Sequence, residues 1–188
     1  MNPYAQSVRF ICLLWCVVWL AAAFSAKKTV RRESIPSFVA QRIFLIPGYF
    51  LLFSPYSAFG LGAPWVPSGA LIQGGGVALC LLGLLYSVWA RAALGRNWSG
   101  TVTLKEDHQL IQSGPYAYSR HPIYTGILCA SFGVALEEGR RGALLGFVLA
   151  AISFHLKMAT EEAFMREQFG PDYGAYAAKV KKLIPFVY

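Results

Sequence analysis

Apolar residues gather in five runs along the chain, at 8–26, 43–66, 68–90, 123–136 and 142–156, with polar or basic stretches between them. About twenty such residues suffice for a helix to cross a hydrocarbon core. The first run ends in Lys27, Lys28, Arg31 and Arg32. Positive charge after an apolar run is the wrong order for a cleaved signal, so the run reads as a retained transmembrane helix. The second holds Pro47, Gly48 and Pro55 and is expected to kink. The third carries Gly74, Gly75 and Gly76, which suit close helix approach in lipid. The last two are short, and the polar turn "EEGRR" (137–141) between them predicts a helical hairpin.

Two stretches break this pattern. Residues 91–120 are amphipathic and lead into "SGPYAYSRHPIYTG" (113–126), dense in Gly, Pro and Tyr. From 157 the chain is charged and amphipathic, and "FGPDYG" is expected to stop its helix. Irregular polar backbone at membrane depth is tolerated only when buried in protein or lining a cavity, so residues 113–126 point to a site. Lys and Arg give the orientation. With loop 27–32 in the cytoplasm, only Arg9, Arg140 and Arg141 fall outside. The expected fold is all-α: an integral membrane protein of about five transmembrane helices, N-terminus outside, with a C-terminal hairpin and a cytoplasmic cofactor pocket. It is read as one membrane domain over 1–188, with three helices in 1–90 and the catalytic, cofactor-binding part in 91–188.

Composition agrees. Hydrophobic residues make up 56% and charged residues 14%, against about 25% charged in soluble domains. Mean hydropathy is +0.46, which argues against a soluble globular protein. The net charge of +8 sits beside apolar segments, where it fixes topology and meets lipid headgroups rather than nucleic acid. Cys12, Cys16, Cys80 and Cys129 lie in apolar runs without a CxxC spacing and read as small packers. His108, His121 and His155 form no metal-ligand set. No GxGxxG follows a strand, which excludes a Rossmann domain.

Within the polar stretches, Pro122 biases His121 away from helix and can start the helix after it. Free N–H groups at such an entrance attract anions, and Tyr116, Tyr118 and Tyr124 supply flat faces and hydroxyls. An interfacial aromatic belt with a snorkelling Arg120 is the plainer account of the same residues. Lys157 and Glu161 share a helix face. The two hairpin helices match in length, so the hairpin returns Glu161 to the level of His121; a solvated ion pair is the alternative. Asn97 and Trp98 suggest a polar cap over an aromatic floor. Arg91 and Arg96 alone read as topology signals.

The segments "GRNWSGTVTLKEDHQLIQSGPYAYSRHPIYTG" and "EEAFMREQFGPDYGAYAAKVKKLIPF" together resemble the isoprenylcysteine carboxyl methyltransferase family. This is a branch of the integral membrane methyltransferases that include phospholipid N-methyltransferases. The resemblance covers roughly residues 86–188. It implies a helical membrane enzyme using S-adenosyl-L-methionine, held by His108, Gln109, Leu110 and Ile111, by Tyr116, by His121, Pro122, Ile123 and Tyr124, and by Glu161. Many relatives carry an Arg four residues before that Glu, placed for the substrate carboxylate. Here Lys157 stands there, a point charge without the bidentate fork, and Arg91 or Arg120 are alternatives for the substrate anion. The implied reaction is methyl transfer to a lipid or small amphipathic acceptor through oxygen, nitrogen or sulfur. Glu162 or His121 would serve as base where the acceptor must lose a proton. An NADPH-dependent sterol-type reductase and a non-catalytic membrane protein remain as other classes.

Overall fold

The computed structural model describes residues 2–24, 29–55, 57–99, 101–105 and 109–188. It contains five long helices: α1 Pro3–Ala23, α2 Ile35–Phe53, α3 Ala70–Leu94, α4 Pro122–Glu138 and α5 Arg141–Lys179. Helices α1, α2, α3 and α5 are long and apolar enough to cross a membrane. Helix α4 has 17 residues, about 25 Å at 1.5 Å per residue, and its buried faces pack among the others. Phe10, Leu13, Val17 and Leu20 of α1 remain exposed, as suits a surface whose solvent is lipid.

The helices start on local chemistry. The Asn2 side chain accepts from the Tyr4 N–H at 3.0 Å, capping α1, and Ser34 caps α2 through the Ser37 N–H at 3.4 Å. Helix α2 therefore begins eight residues before its apolar run. Those first turns carry Ser37 and Gln41, which donate to the Glu33 carboxylate at 3.0 and 2.6 Å. The apolar run 43–66 does not continue as helix. Helix α2 passes Pro47 and ends at Phe53, because Pro55 pushes Ser54 into extended backbone (ψ 140°). The chain beyond lies on the α4–α5 turn: Trp65 N–H donates to Gly139 O at 3.0 Å, and Arg141 N–H donates to Ala63 O at 2.9 Å.

Helices α3 and α4 pack antiparallel, as do α2 and α5. Glycines seven residues apart set the first contact: Gly76 meets Gly133, and Gly83 meets Gly126. A Cβ on Gly83 would lie 2.5 Å from Gly126 O, and one on Gly76 2.6 Å from Gly133 O. Gly48 and Gly146 do the same between α2 and α5. Of the 74–76 triplet only Gly76 makes such an approach; Gly75 faces open space. Helix α1 runs alongside α3, with Trp15 Nε1 donating to Ser87 Oγ at 2.8 Å.

Two features depart from the sequence pattern. Thr29–Arg32 (β1) and Thr103–Lys105 (β2) pair as an antiparallel ribbon, tying the loop after α1 to the polar stretch. "FGPDYG" breaks α5 without ending it. Gly170 takes φ +48°, ψ −122°, and helix resumes at Pro171 through Lys179. Proline is well suited to a first helical position, so the stop and the restart are one signal. The α4–α5 hairpin forms as expected, with Gly139 in the left-handed region at φ +63°.

Candidate functional site

The pairings place the two ends of the bundle. Asn2, Glu137 and the 137–141 turn share one end, where Asn2 Nδ2 donates to Glu137 at 3.1 Å. The α1 C-terminus, the α3 C-terminus, His121 and the second half of α5 share the other, where Arg91 Nη2 donates to Ala22 O at 2.6 Å. A cavity of about 220 Å³ opens at this second end.

His121 stands at the entrance of α4, just before Pro122 at the first helical position. Its backbone N–H donates to Lys182 O at 3.1 Å and to Ser119 Oγ at 3.2 Å. Arg120 N–H donates to Lys181 O at 2.9 Å. The chain after α5 thus grips the stretch before α4 by main-chain bonds. The His121 ring lies between two carboxylates, with Nδ1 3.4 Å from Glu161 and Nε2 3.3 Å from Glu162. Burial works against a charge on this ring. The hydrogen bonds and negative charges of Glu161 and Glu162 outweigh it and raise the His121 pKa above its ordinary value.

The adjacent carboxylates play different parts. Glu162 is 4% exposed and lies off the cavity wall. Its Oε1 accepts from Arg120 Nε at 3.0 Å and Nη2 at 2.8 Å, and Arg166 and Lys182 stand at 3.4 and 3.9 Å. Arg120 Nη1 donates onward to Ala177 O and Val180 O at 3.0 and 2.6 Å. Glu161 faces the cavity. The Tyr124 hydroxyl donates to it, and the Tyr124 ring stacks on His121 at 5.7 Å between centroids. Lys157 Nζ, on the same helix face, sits 5.4 Å from the centre of the Tyr124 ring.

Most of the expected site residues meet here. Gln109, Leu110, Ile111, Tyr116, Arg120, His121, Ile123, Tyr124, Lys157 and Glu161 all line the cavity. His108 lies outside the described residues. Pro122 is buried beside the wall, where it starts α4. Arg91 does not reach the cavity. Its guanidinium donates to Gly95 O and Ala22 O, both at 2.6 Å, and stacks over Trp98 at 4.5 Å, so it clamps α1 to the end of α3. Glu162, expected as a base, is instead ringed by cationic groups that hold a carboxylate ionised and unreactive towards protons. The Arg120 guanidinium is engaged with Glu162 and two carbonyls, which leaves Lys157 as the cation on the α5 face of the cavity.

Trp19, Phe154, Met165, Tyr173 and Tyr176 also line the cavity and were not named as site residues from the sequence. Trp19 resembles any interfacial tryptophan until Trp98 is found edge-on to it at 5.5 Å. Tyr173 and Tyr176 follow the Gly170 break and reach the site because α5 resumes there; the Tyr176 hydroxyl donates to Tyr116 O at 2.7 Å. Asn97 and Trp98 do sit together on the wall. Asn97 is 9% exposed, and its Oδ1 is buried without a hydrogen-bond partner.

Comparison with known proteins adds a direction. The family model described as phospholipid methyltransferase matches residues 72–172. A probable protein-S-isoprenylcysteine O-methyltransferase of Oryza sativa subsp. indica is 26% identical over 171 residues, covering 89% of this chain and 87% of that one. The protein-S-isoprenylcysteine O-methyltransferase of Schizosaccharomyces pombe is 36% identical over 112 residues, covering 58% of this chain and 47% of its own. Among solved structures, a eukaryotic intramembrane Ras methyltransferase, the isoprenylcysteine carboxyl methyltransferase, matches with a TM-score of 0.57. At 23% identity it covers 82% of this chain and 54% of that one, a likeness of fold.

Proposed function

The chain belongs to the phospholipid methyltransferase family, and on that premise we propose that it uses S-adenosyl-L-methionine to methylate a lipidic acceptor at the cytoplasmic face of its membrane. The observation that carries this reading is the Glu161–His121–Tyr124 cluster at the wall of a cavity at one bundle end. The donor joins an amino-acid zwitterion to a sulfonium, and the residues fit it. Glu161 offers a carboxylate to an ammonium, and the faces of Tyr124 and Tyr116 suit a sulfonium cation. When bound, the donor would supply an electrophilic methyl group.

The chain's own residues supply position. Tyr124 and His121 hold Glu161 from two sides, so its carboxylate needs little reordering to receive a cation. Lys157, opposite the Tyr124 ring, gives an acceptor carboxylate a point charge to face. Such an acceptor is already nucleophilic and needs no base. Trp19, Trp98 and Phe154 keep water from the reacting groups. The relatives named for an isoprenylcysteine substrate support an acceptor of that kind, a carboxylate on a lipidated residue. Basic residues at the cavity end, Arg96, Arg120, Arg166, Lys179, Lys181 and Lys182, support the cytoplasmic assignment.

The test is calorimetric titration of the detergent-purified protein with S-adenosylhomocysteine. Saturable binding is expected, and it should be lost in Glu161→Ala and His121→Ala while both variants still elute as folded protein. Undiminished binding by these variants would overturn the site.

A further inference from the structure

Among the described residues of the cavity wall, Asn97 carries a buried side-chain oxygen without a hydrogen-bond partner. It closes the short 3₁₀ turn Gly95–Asn97 after α3, lines the cavity, is 9% exposed, and its Oδ1 has no partner. Buried polar groups are nearly always hydrogen-bonded, so one left bare at a cavity calls for an explanation. Neither nearby guanidinium is bonded to it: Arg120 holds Glu162 and two carbonyls, and Arg91 donates through Nη1 and Nη2 to the carbonyls of Gly95 and Ala22. A bare acceptor therefore asks the ligand for an N–H or O–H.

The surroundings narrow the choice. Asn97 stands next to Trp98, which meets Trp19 edge-on at 5.5 Å, and all three line the cavity. Two of the ionic groups on the wall, Glu161 and Lys157, come from α5 instead. The cavity therefore combines an ionic contribution from α5 with a carboxamide and indole contribution from α1 and the turn after α3. A ligand that fits both carries a zwitterion on one part and a flat heterocycle with an N–H donor on the other. A carboxamide pairs acceptor with donor, which matches adenine: an exocyclic amine beside an accepting ring nitrogen, the pairing by which Asn reads adenine in nucleic acids.

We propose that Asn97 reads the exocyclic amine of the donor's adenine and so sets the base specificity of the methyltransferase. This rests on the S-adenosylmethionine reading above and goes beyond it by assigning a specificity residue. The experiment compares S-adenosylhomocysteine with S-inosylhomocysteine, in which a carbonyl replaces the amine, by calorimetry on the full chain in detergent. The wild type should prefer the adenine ligand by about tenfold or more, since the inosine carbonyl would face Asn97 Oδ1. Asn97→Leu, close in shape but without an acceptor, should weaken S-adenosylhomocysteine and bring the two ligands to within about threefold. Asn97→Asp keeps an acceptor and should retain the preference, which separates reading from folding. Equal binding of the two ligands by the wild type, or an undiminished preference in Asn97→Leu, would overturn the assignment while leaving the methyl-donor site in place. Silence of the folded wild type towards both would overturn the donor reading and the assignment with it.

Discussion

Single residues at this site are defined by their neighbours more than by their own chemistry. Glu161 and Glu162 are adjacent and identical, yet one faces the cavity and the other is enclosed by Arg120, His121, Arg166 and Lys182. Removing one partner of a buried ion pair leaves the others uncompensated. Glu162→Ala should therefore cost about 3 kcal/mol, read as a large drop in the thermal midpoint in detergent. Arg166 is the most exposed of the partners, its side chain 61% accessible, and Arg166→Ala should shift the midpoint little. Equal shifts in the two variants would contradict the enclosed role of Glu162.

His121 makes a pH-dependent contribution. Its folded pKa is raised above an ordinary value near 6.5. The stabilisation is therefore complete below about pH 6.5 and disappears as pH climbs through the folded value. The thermal midpoint of the wild type should fall over that alkaline range, and the fall should be smaller in His121→Gln. Matching slopes in both proteins would remove His121 from the effect.

His121, Tyr124 and Glu161 were legible in the sequence because Pro122 marks a helix entrance and matched hairpin helices return the chain to the same level. What sequence could not show was neutralisation by neighbours. Arg91 and Glu162 look as reactive as any other Arg and Glu until the carbonyls and cations around them are in place.

Among the helices, what was legible was hydrophobic length, and what was hidden was spacing across helices. The apolar runs located all five helices, yet beyond the α4–α5 hairpin their partners were undecided. Lipid offers little apolar driving force between helices, so close packing at small residues decides the pairing. Gly76 and Gly83 against Gly133 and Gly126 form two contacts seven residues apart on each helix, and that repeat becomes informative only once α3 and α4 are known to run antiparallel. Gly83→Leu should part α3 from α4 and yield protein that aggregates in size-exclusion chromatography. Gly75→Leu, with nothing within 4 Å of its Cβ, should behave as wild type. The early start of α2 and the restart of α5 were missed for a shared reason. Both depend on local backbone chemistry, a Ser34 cap and a Gly170–Pro171 hinge, in stretches whose polarity reads as loop.

At the scale of the whole molecule, the bundle has two unlike ends. One is a tight turn braced by Asn2, Glu137 and the segment before α3. The other gathers the ribbon, the polar stretch and the long second half of α5 around the cavity. Reporter fusions should read the sidedness: a fluorescent protein after Tyr188 should mature in the cytoplasm, and a periplasmic or lumenal reporter there should stay inactive. The reverse result would invert the assignment. A pocket was expected from the sequence, whereas the make-up of its wall was not, since it is drawn from α1, the turn after α3, the stretch before α4, and α5.

The grip of the final segment on the site also fixes an order in time. Ser119 and Lys182 are joined by a hydrogen bond across 63 residues of chain, and the carbonyls that seat Arg120 and His121 come from residues 177–182. During synthesis the entrance of α4 is made well before the residues that brace it. Arg120 and His121 therefore lack these main-chain partners until residues 177–182 have been made.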